Sequence, residues 1–452
     1  MLERTARVCA AAVALTAGLA CASADQMERY RAQRLEIARP SVESASAVRG
    51  DPLDGAGLLS RSALVSQVLL RNPGLEASRS AWQAALARYP QVVSLPDPTL
   101  GYSVRPRSIS DRDVDPAHDV ELSQPLPFPG KLALRGEIAL ASADAASEGV
   151  AGERVRLAAL ASIAFDEYWL ADIALETNAQ HLAFLEELHA TALARYAAGT
   201  ASQLEVLEAE SEVAMLLHGD IELRAQRRIA AERINLLLHR APVLPLPPPA
   251  RELEVPTEHD LDADALVERA LARRPELRAR VAETRANRAA VALAEREFLP
   301  DLELQAGYMG SMQESPLRPF LGIELELPIQ LGRRRAALDE ANALLARGRS
   351  RSRGLEDRVR FEVVVAIERL REAQHLLELS RERLLPAARS RSASAVSAFQ
   401  TGQAGFPELV SAERALRAAE FGEHEALANL SRRRAELART LGETAPLEKE
   451  QR

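Results

Sequence analysis

Cysteine is nearly absent from this sequence. Its 452 residues hold two, Cys9 and Cys21, both within the first 24. A chain that loses those residues can form no internal disulfide, and a structural zinc site without thiolates is not expected. Aromatics make up 4% of residues, although hydrophobic residues make up 47%. That balance suits closely packed helices better than a large globular core. No apolar run after the N-terminus approaches the ~20 residues that a membrane-spanning helix needs, so any membrane role must rest on strands. The 8 histidines form no ligand-spaced cluster. His181, His189, His218 and His239 sit among helix residues and read as surface or packing groups. Phosphate loops and nucleophile–base motifs are missing. The net charge of −8 argues against nucleic acid as a partner. No enzyme activity, metal or cofactor is expected.

What is present begins with an export signal over residues 1–24. Arg4 and Arg7 precede an apolar run from Val8 to Leu19, too short to span a bilayer. Ala22-Ser23-Ala24 offers a signal-peptidase site. A competing cut before Cys21, with Gly18-Leu19-Ala20 as a lipobox, would leave Cys21 as a lipidation site. Residues 25–60 are dotted with proline and glycine and read as an irregular arm or linker.

The rest is organised around Glu121–Arg135, ELSQPLPFPGKLALR. Val120, Leu122 and Leu126 alternate with polar neighbours in the period of a half-buried strand. Pro125, Pro127 and Pro129 are expected to stop ladder pairing, because proline has no N–H to donate. Gly130 gives the turn, and a long alanine- and leucine-rich helix follows from Leu132 to about Ala198, ~100 Å at 1.5 Å per residue. Gly199 breaks it, and a second helix returns over about 202–239. A related junction recurs at Leu325–Arg335, LELPIQLGRRR.

The chain is therefore a duplication. The first repeat covers 61–241, with strands near 99–104 and 119–126 and a helical tip near Gly199. A proline-rich linker covers 242–260. The second repeat covers 261–442, with strands near 301–308 and 320–327, a long helix kinked at Pro386 and a tip near Gly402; residues 443–452 form a tail. Asn72-Pro73 corresponds to Arg274-Pro275, Leu95-Pro96-Asp97 to Leu299-Pro300-Asp301, and Gly101-Tyr102 to Gly307-Tyr308. Asn72 is expected to cap a helix that opens at Pro73 and kinks or ends at Pro90. Two short helices placed end to end match one long helix in length, which points to a long helical wall. In the fourth strand Leu321, Ile323, Leu325 and Leu327 share one face, and Gly322, Glu324 and Glu326 the other. An apolar face backed by an acidic one fits a membrane barrel with a wet lumen, but four strands cannot close one, so several protomers must share it. A soluble sheet packed on helices fits the strands alone as well.

As a set, these features resemble the TolC-type outer membrane efflux proteins (outer membrane factors): the paired openings, the Leu-Pro-Asp and Gly-Tyr strands, the Gln-Pro-Leu-Pro-Phe-Pro-Gly-Lys junction and the two glycine tips. The resemblance covers about residues 55 to 445. It implies a mainly α fold with membrane β-strands, in which a homotrimer builds a shared twelve-stranded β-barrel in outer membrane lipid and a periplasmic α-helical barrel. It implies a passive duct in the outer membrane that extends into the periplasm, docked on a periplasmic adaptor (membrane fusion) protein and an inner-membrane pump of RND type. The Pro-Phe-Pro-Gly-Lys junction resembles the branch that exports heavy-metal cations; drug efflux and type I protein secretion are the competing cargoes, and a periplasmic coiled-coil adaptor or structural protein is the competing class. Carried over by position, Gly199, Thr200, Gly402 and Gln403 are adaptor-contact residues at the tips. Glu408 takes the main acidic constriction site, Ser411 takes the next position without an acid, and Glu205 and Glu208 are the repeat-one counterparts. Phe399 and Ala404 occupy positions where a tyrosine and an arginine can lock a closed tip, so that lock is expected to be absent or different. Helix termination at the glycines and solvated helix faces at the glutamates are the plainer alternatives.

Overall fold

The structure is a computed structural model that describes residues 24–38, 53, 57–105, 117–253, 261–311 and 318–444. The expected signal peptide, apart from Ala24, lies outside the described residues, as do the lipidation candidate Cys21 and most of the C-terminal tail. The elements in order are α1 (Ala24–Ala38), α2 (Arg61–Arg71), α3 (Pro73–Leu86), α4 (Arg88–Val93), β1 (Thr99–Arg105), β2 (Ala117–Leu126), α5 (Lys131–Ala197), α6 (Gln203–Leu237), α7 (Ala263–Arg273), α8 (Pro275–Arg296), β3 (Asp301–Ser311), β4 (Arg318–Glu326), α9 (Leu331–Leu379), a π-helical turn (Ser380–Leu384), α10 (Leu385–Gln400) and α11 (Phe406–Thr440). The chain forms two compact units: Met1–Arg39 with Ser78–Val150 and Glu276–Leu355, and Pro40–Ala77 with Ala151–Pro275 and Glu356–Arg452.

The first unit carries the sheet, an antiparallel meander in the order β1-β2-β3-β4. The register sets Leu100 opposite Leu122, Tyr102 opposite Val120, Val120 opposite Tyr308, and Leu304 opposite Ile323. These residues share one face. Leu100, Tyr102, Leu321 and Ile323 on it are exposed at 72%, 66%, 74% and 71%. The opposite face carries Asp119, Glu121, Glu303, Glu324 and Glu326, with Arg105 paired to Asp119 at 2.8 Å and Gln305 donating to Glu324 at 2.6 Å. Gly307 lets β3 lie close to its neighbours: a Cβ there would fall 2.4 Å from the Val120 carbonyl and 2.7 Å from the Phe320 ring.

Below the sheet, the strand-to-helix junction is built around Lys131. Gly130 turns the chain at φ +89°. Lys131 is buried, and its ammonium donates to Asp301 at 2.9 Å, Leu299 O at 3.3 Å and Glu297 at 3.4 Å. Asp301 also accepts the Phe128 N–H at 2.6 Å. The Leu-Pro-Asp of repeat two thus neutralises the lysine of the repeat-one junction, as a buried charge requires.

The second unit holds the helical hairpins. All four hairpin helices end or turn with one motif. Gly199 N–H bonds Tyr196 O and Thr200 N–H bonds Arg195 O; Gly402 and Gln403 repeat this with Phe399 and Ala398. Gly442 and His239 close α11 and α6 in the same way. The motif needs a left-handed residue, and φ is +73°, +74°, +77° and, at His239, +55°. Asn72 accepts the Gly74 N–H at 2.9 Å, as a capping asparagine before Pro73 should. The described part of the proline-rich linker is docked: Leu59 bonds Pro248 O and receives Ala250 N–H, Tyr168 donates to Pro247 O, and Trp169 donates to Arg251 O.

Several expectations are corrected. Within 25–60 the arm is not wholly irregular, since Ala24–Ala38 is helical. Gln26 donates to Ala133 O at 3.0 Å, Arg29 pairs with Glu137 and Asp144, and Tyr30 stacks on Tyr89 at 5.0 Å. Tertiary docking, which local composition does not show, holds this helix. The break expected at Pro90 comes earlier, between Leu86 and Arg88, and the kink expected at Pro386 appears as the π-helical turn before it. In both cases the missing N–H and the ring act on the carbonyl four residues back, so the damage lies upstream of the proline. Pro125 does not stop the ladder: it pairs with Glu303, and Leu126 pairs with Leu302. The β1 partners of β2 end at Ser123, so Pro125 has no strand to donate to on that side. The strands also extend further than expected, to Ser311 and back to Arg318.

Candidate functional site

The two hairpin tips pack side by side. Ala192 of α5, Ala209 of α6, and Phe406 and Val410 of α11 form a buried cluster, joined by Leu188, Val206 and Phe399. Phe399 meets Phe406 edge-on at 5.9 Å, and the Arg195 guanidinium lies over the Phe399 ring at 5.0 Å. At the position where a tyrosine can serve in the family, Phe399 instead makes a cation–π contact, worth ~0.5–1 kcal/mol at an exposed site. Small residues at 192 and 209 let the helices approach. The aromatic residues come from a different repeat, so the cluster ties hairpin α5–α6 to hairpin α10–α11.

Gly199, Thr200, Gly402 and Gln403 are all exposed at the end of this cluster. They form the two turns themselves, with their backbone held by the motif described above. Glu205 is half-buried and forms a capping box with Ser202: each reaches the other's backbone N–H. That local role stabilises the start of α6. Glu208 is half-buried and lies in the field of Arg414, which pairs with the buried Glu212. Glu408 is exposed in the first turn of α11, with its carboxylate folded toward Gly405, where the helix dipole favours an anion. It has no ion pair among the described residues. Ser411 is exposed and accepts from Arg391 at 3.0 Å.

The structure brings Glu205, Glu208, Glu408 and Ser411 into the first two turns of two adjacent helices, α6 and α11. Their surroundings differ. Glu205 is spent on a cap; Glu208 is half-buried in the field of Arg414, with a buried carboxylate oxygen that has no hydrogen-bond partner among the described residues; Glu408 is exposed. Sequence reasoning missed Arg391, Arg414 and Glu212, which place positive charge and a buried ion pair one to two turns from the acidic positions. The signal was present as arginines on helix faces, but helix periodicity does not say which arginine faces which acid. Sequence reasoning also treated His181 as a surface or packing group. It is a buried bridge, with Glu413 at 2.5 Å from Nδ1 and Glu420 at 3.0 Å from Nε2. Among the described residues no helix is long and apolar enough to cross a membrane, and no group of three or more His, Cys, Asp or Glu side chains is placed to hold a metal ion.

Solved structures share this fold. The outer-membrane channel OprN matches with a TM-score of 0.71 at 22% identity, over 89% of this chain and 97% of that one. A membrane protein from Pseudomonas aeruginosa matches with a TM-score of 0.73 at 21% identity, over 89% and 97%. CusC, described through transmembrane channel formation, matches with a TM-score of 0.73 at 18% identity, over 85% and 92%. A comparison with curated proteins gives no match. The family model for outer membrane efflux proteins matches twice, over residues 64–239 and 266–443, one match on each repeat. The duplicated chain, with one four-stranded sheet and two long helical hairpins, is a member of the outer membrane efflux protein family.

Proposed function

We propose that this chain is one protomer of a passive, trimeric export duct, the outer-membrane component of a tripartite efflux system. The observation that carries the reading is the sheet. Its exposed face is apolar on all four strands, its other face is acidic, and β1 and β4 each have one strand edge unpaired among the described residues. Open edges are not tolerated in lipid. Three copies supply twelve strands, which close a barrel with the leucine face to lipid and the carboxylates to the lumen. The helical hairpins then extend the lumen into the periplasm, and the paired tips form the periplasmic mouth.

At that mouth, Gly199, Thr200, Gly402 and Gln403 are the contact points for a periplasmic adaptor, which couples the duct to an inner-membrane pump of RND type. Glu408 is the charged constriction: three symmetry-related carboxylates would focus a negative potential and favour cations. Glu205 contributes less, because it is engaged in its capping box, Glu208 contributes less, because it is half-buried in the field of Arg414, and Ser411 contributes no charge. The cargo class that suits an acidic mouth and an acidic barrel wall is cationic, a metal ion or a cationic drug. A protein-secretion duct would use the same fold.

The test is a planar-bilayer recording of the purified protein. Glu408→Gln should lower the preference for potassium over chloride several-fold, while Glu205→Gln should change it little. Unaltered selectivity in Glu408→Gln would remove the constriction assignment. A protein that fractionates as a soluble periplasmic monomer or dimer would remove the duct.

A further inference from the structure

The repeats differ at one level of the helical hairpins. Gly402 follows Gly199 by 203 residues, and the same spacing sets the π-helical turn Ser380–Leu384 opposite Thr177–His181. Repeat two breaks its helix there, ahead of Pro386. Repeat one stays α-helical and places a buried histidine there. His181 reaches across to α11: Nδ1 lies 2.5 Å from Glu413 and Nε2 lies 3.0 Å from Glu420. The His181 and Glu413 side chains are 7% and 8% exposed, and that of Glu420 is 22% exposed.

Two carboxylates on two ring nitrogens define the protonation state. A neutral imidazole has one N–H and one lone pair. It could satisfy one carboxylate and would point its lone pair at the other. The imidazolium donates to both. The other charged and polar groups at this level are Arg389 of α10, 3.6 Å from Glu420; Ser392 of α10, which donates to Glu413 at 3.3 Å; and Arg381 of the π-helical turn, 2.7 Å from Glu423. Arg414 of α11 is taken by Glu212 of α6. With His181 protonated, two cations (His181, Arg389) face two anions (Glu413, Glu420). Without the proton one negative charge is left in a mostly buried site, which is costly.

The bonds from α10 and the π-helical turn tie those segments to α11. The bonds from His181 tie α11 to α5. We propose that His181 is a proton-operated latch: as imidazolium it fastens the α10–α11 hairpin to α5 beside the π-helical hinge, and on deprotonation it lets that hairpin move. A π-helical turn before a proline has weakened α-type hydrogen bonding and is a ready hinge. Burial opposes the charge on His181, but hydrogen bonds and charge from Glu413 and then Glu420 outweigh it and hold the imidazole above its ordinary pKa. The latch is therefore closed at and below the ordinary histidine pKa and opens on the alkaline side. This inference concerns motion within one protomer and stands or falls separately from the duct reading.

The experiment is hydrogen–deuterium exchange with mass spectrometry on the full-length protein in detergent micelles, from pH 6 to pH 9, with intrinsic exchange rates corrected for pH. Peptides covering 377–400 and 406–420 should lose protection about tenfold across a single step above pH 6.5, while peptides from 301–311 keep theirs. His181→Gln should show the low, alkaline level of protection throughout, with no step. Glu420→Gln, which removes the more exposed arm and leaves the buried pair intact, should move the step to lower pH. If the wild type shows no step, or if the step survives in His181→Gln, the latch is refuted. If His181→Gln does not fold, an unmoved step in Glu420→Gln refutes it alone.

Discussion

Acidification from pH 7.5 to 5 should stabilise this protein through one carboxyl group, Asp166 of α5. The side chain is 0% exposed and lies 2.5 Å from the Arg61 guanidinium, which also contacts Ser431 of α11. Burial raises its pKa from 3.8 to about 6, against the opposing pull of Arg61 and Ser431. Between those values the folded chain holds a proton that the unfolded chain has released. Stability is therefore highest below the unfolded value and declines as pH rises through about 6. At 1.36 kcal/mol per pKa unit the whole shift amounts to about 3 kcal/mol, of which the step from pH 7.5 to 5 realises about 1.4 kcal/mol, because the rest is gained only below pH 5. For a chain of this length that realised part is roughly 1–2 °C in Tm. The assay is thermal unfolding in detergent at one fixed scan rate, since a membrane oligomer unfolds irreversibly and its Tm is rate-dependent. Asp166→Asn cannot titrate. Its overall Tm falls, because Arg61 loses its counter-charge, but the part of the pH dependence that belongs to Asp166 disappears. The informative quantity is the difference between wild type and variant in their Tm change from pH 7.5 to 5. Equal changes in the two proteins would refute the reasoning.

Two further substitutions probe the frame. Lys131→Met leaves Asp301 and Glu297 facing each other without their shared cation, and should cost about 3 kcal/mol, at the low end for a buried ion pair because both acids keep some solvent; a drop of a few degrees in Tm at pH 7.5 checks it, and an unchanged Tm would show that the junction does not need the charge. His239→Gly should raise stability by about 1 kcal/mol, because it relieves a left-handed conformation that costs a side-chain-bearing residue ~1–2 kcal/mol and returns part as chain entropy; a lower Tm in the variant would mean that the imidazole makes contacts that matter more than the backbone.

Much of the architecture was legible because it rests on local rules. The helix bounds around Gly199 and Gly402 followed from residues that alone suit a left-handed turn. Strand faces followed from alternation, and the duplication from punctuation by Asn-Pro, Leu-Pro-Asp and Gly-Tyr. The proline breaks were legible in kind but misplaced, because a proline disturbs the carbonyl four residues earlier and the chain chooses how to absorb it. The tip residues were legible as positions. Their chemical standing was not: Glu205 is a cap, Glu208 is half-buried near Arg414, and Glu408 is exposed with no ion pair among the described residues, and only packing separates three glutamates that look alike in the sequence.

The sequence by itself determined that this protein is a repeated, long-helix chain with four amphipathic strands, since each of those features is written in spacings of a few residues. Tertiary structure alone decided which charges meet. Lys131 with Asp301, Asp166 with Arg61, and His181 with Glu413 and Glu420 are 170, 105, 232 and 239 residues apart. Periodicity assigns a side chain to a face of its own helix. The partner across that face depends on the rotation and axial register of another helix, and those are set by the packing of the whole unit.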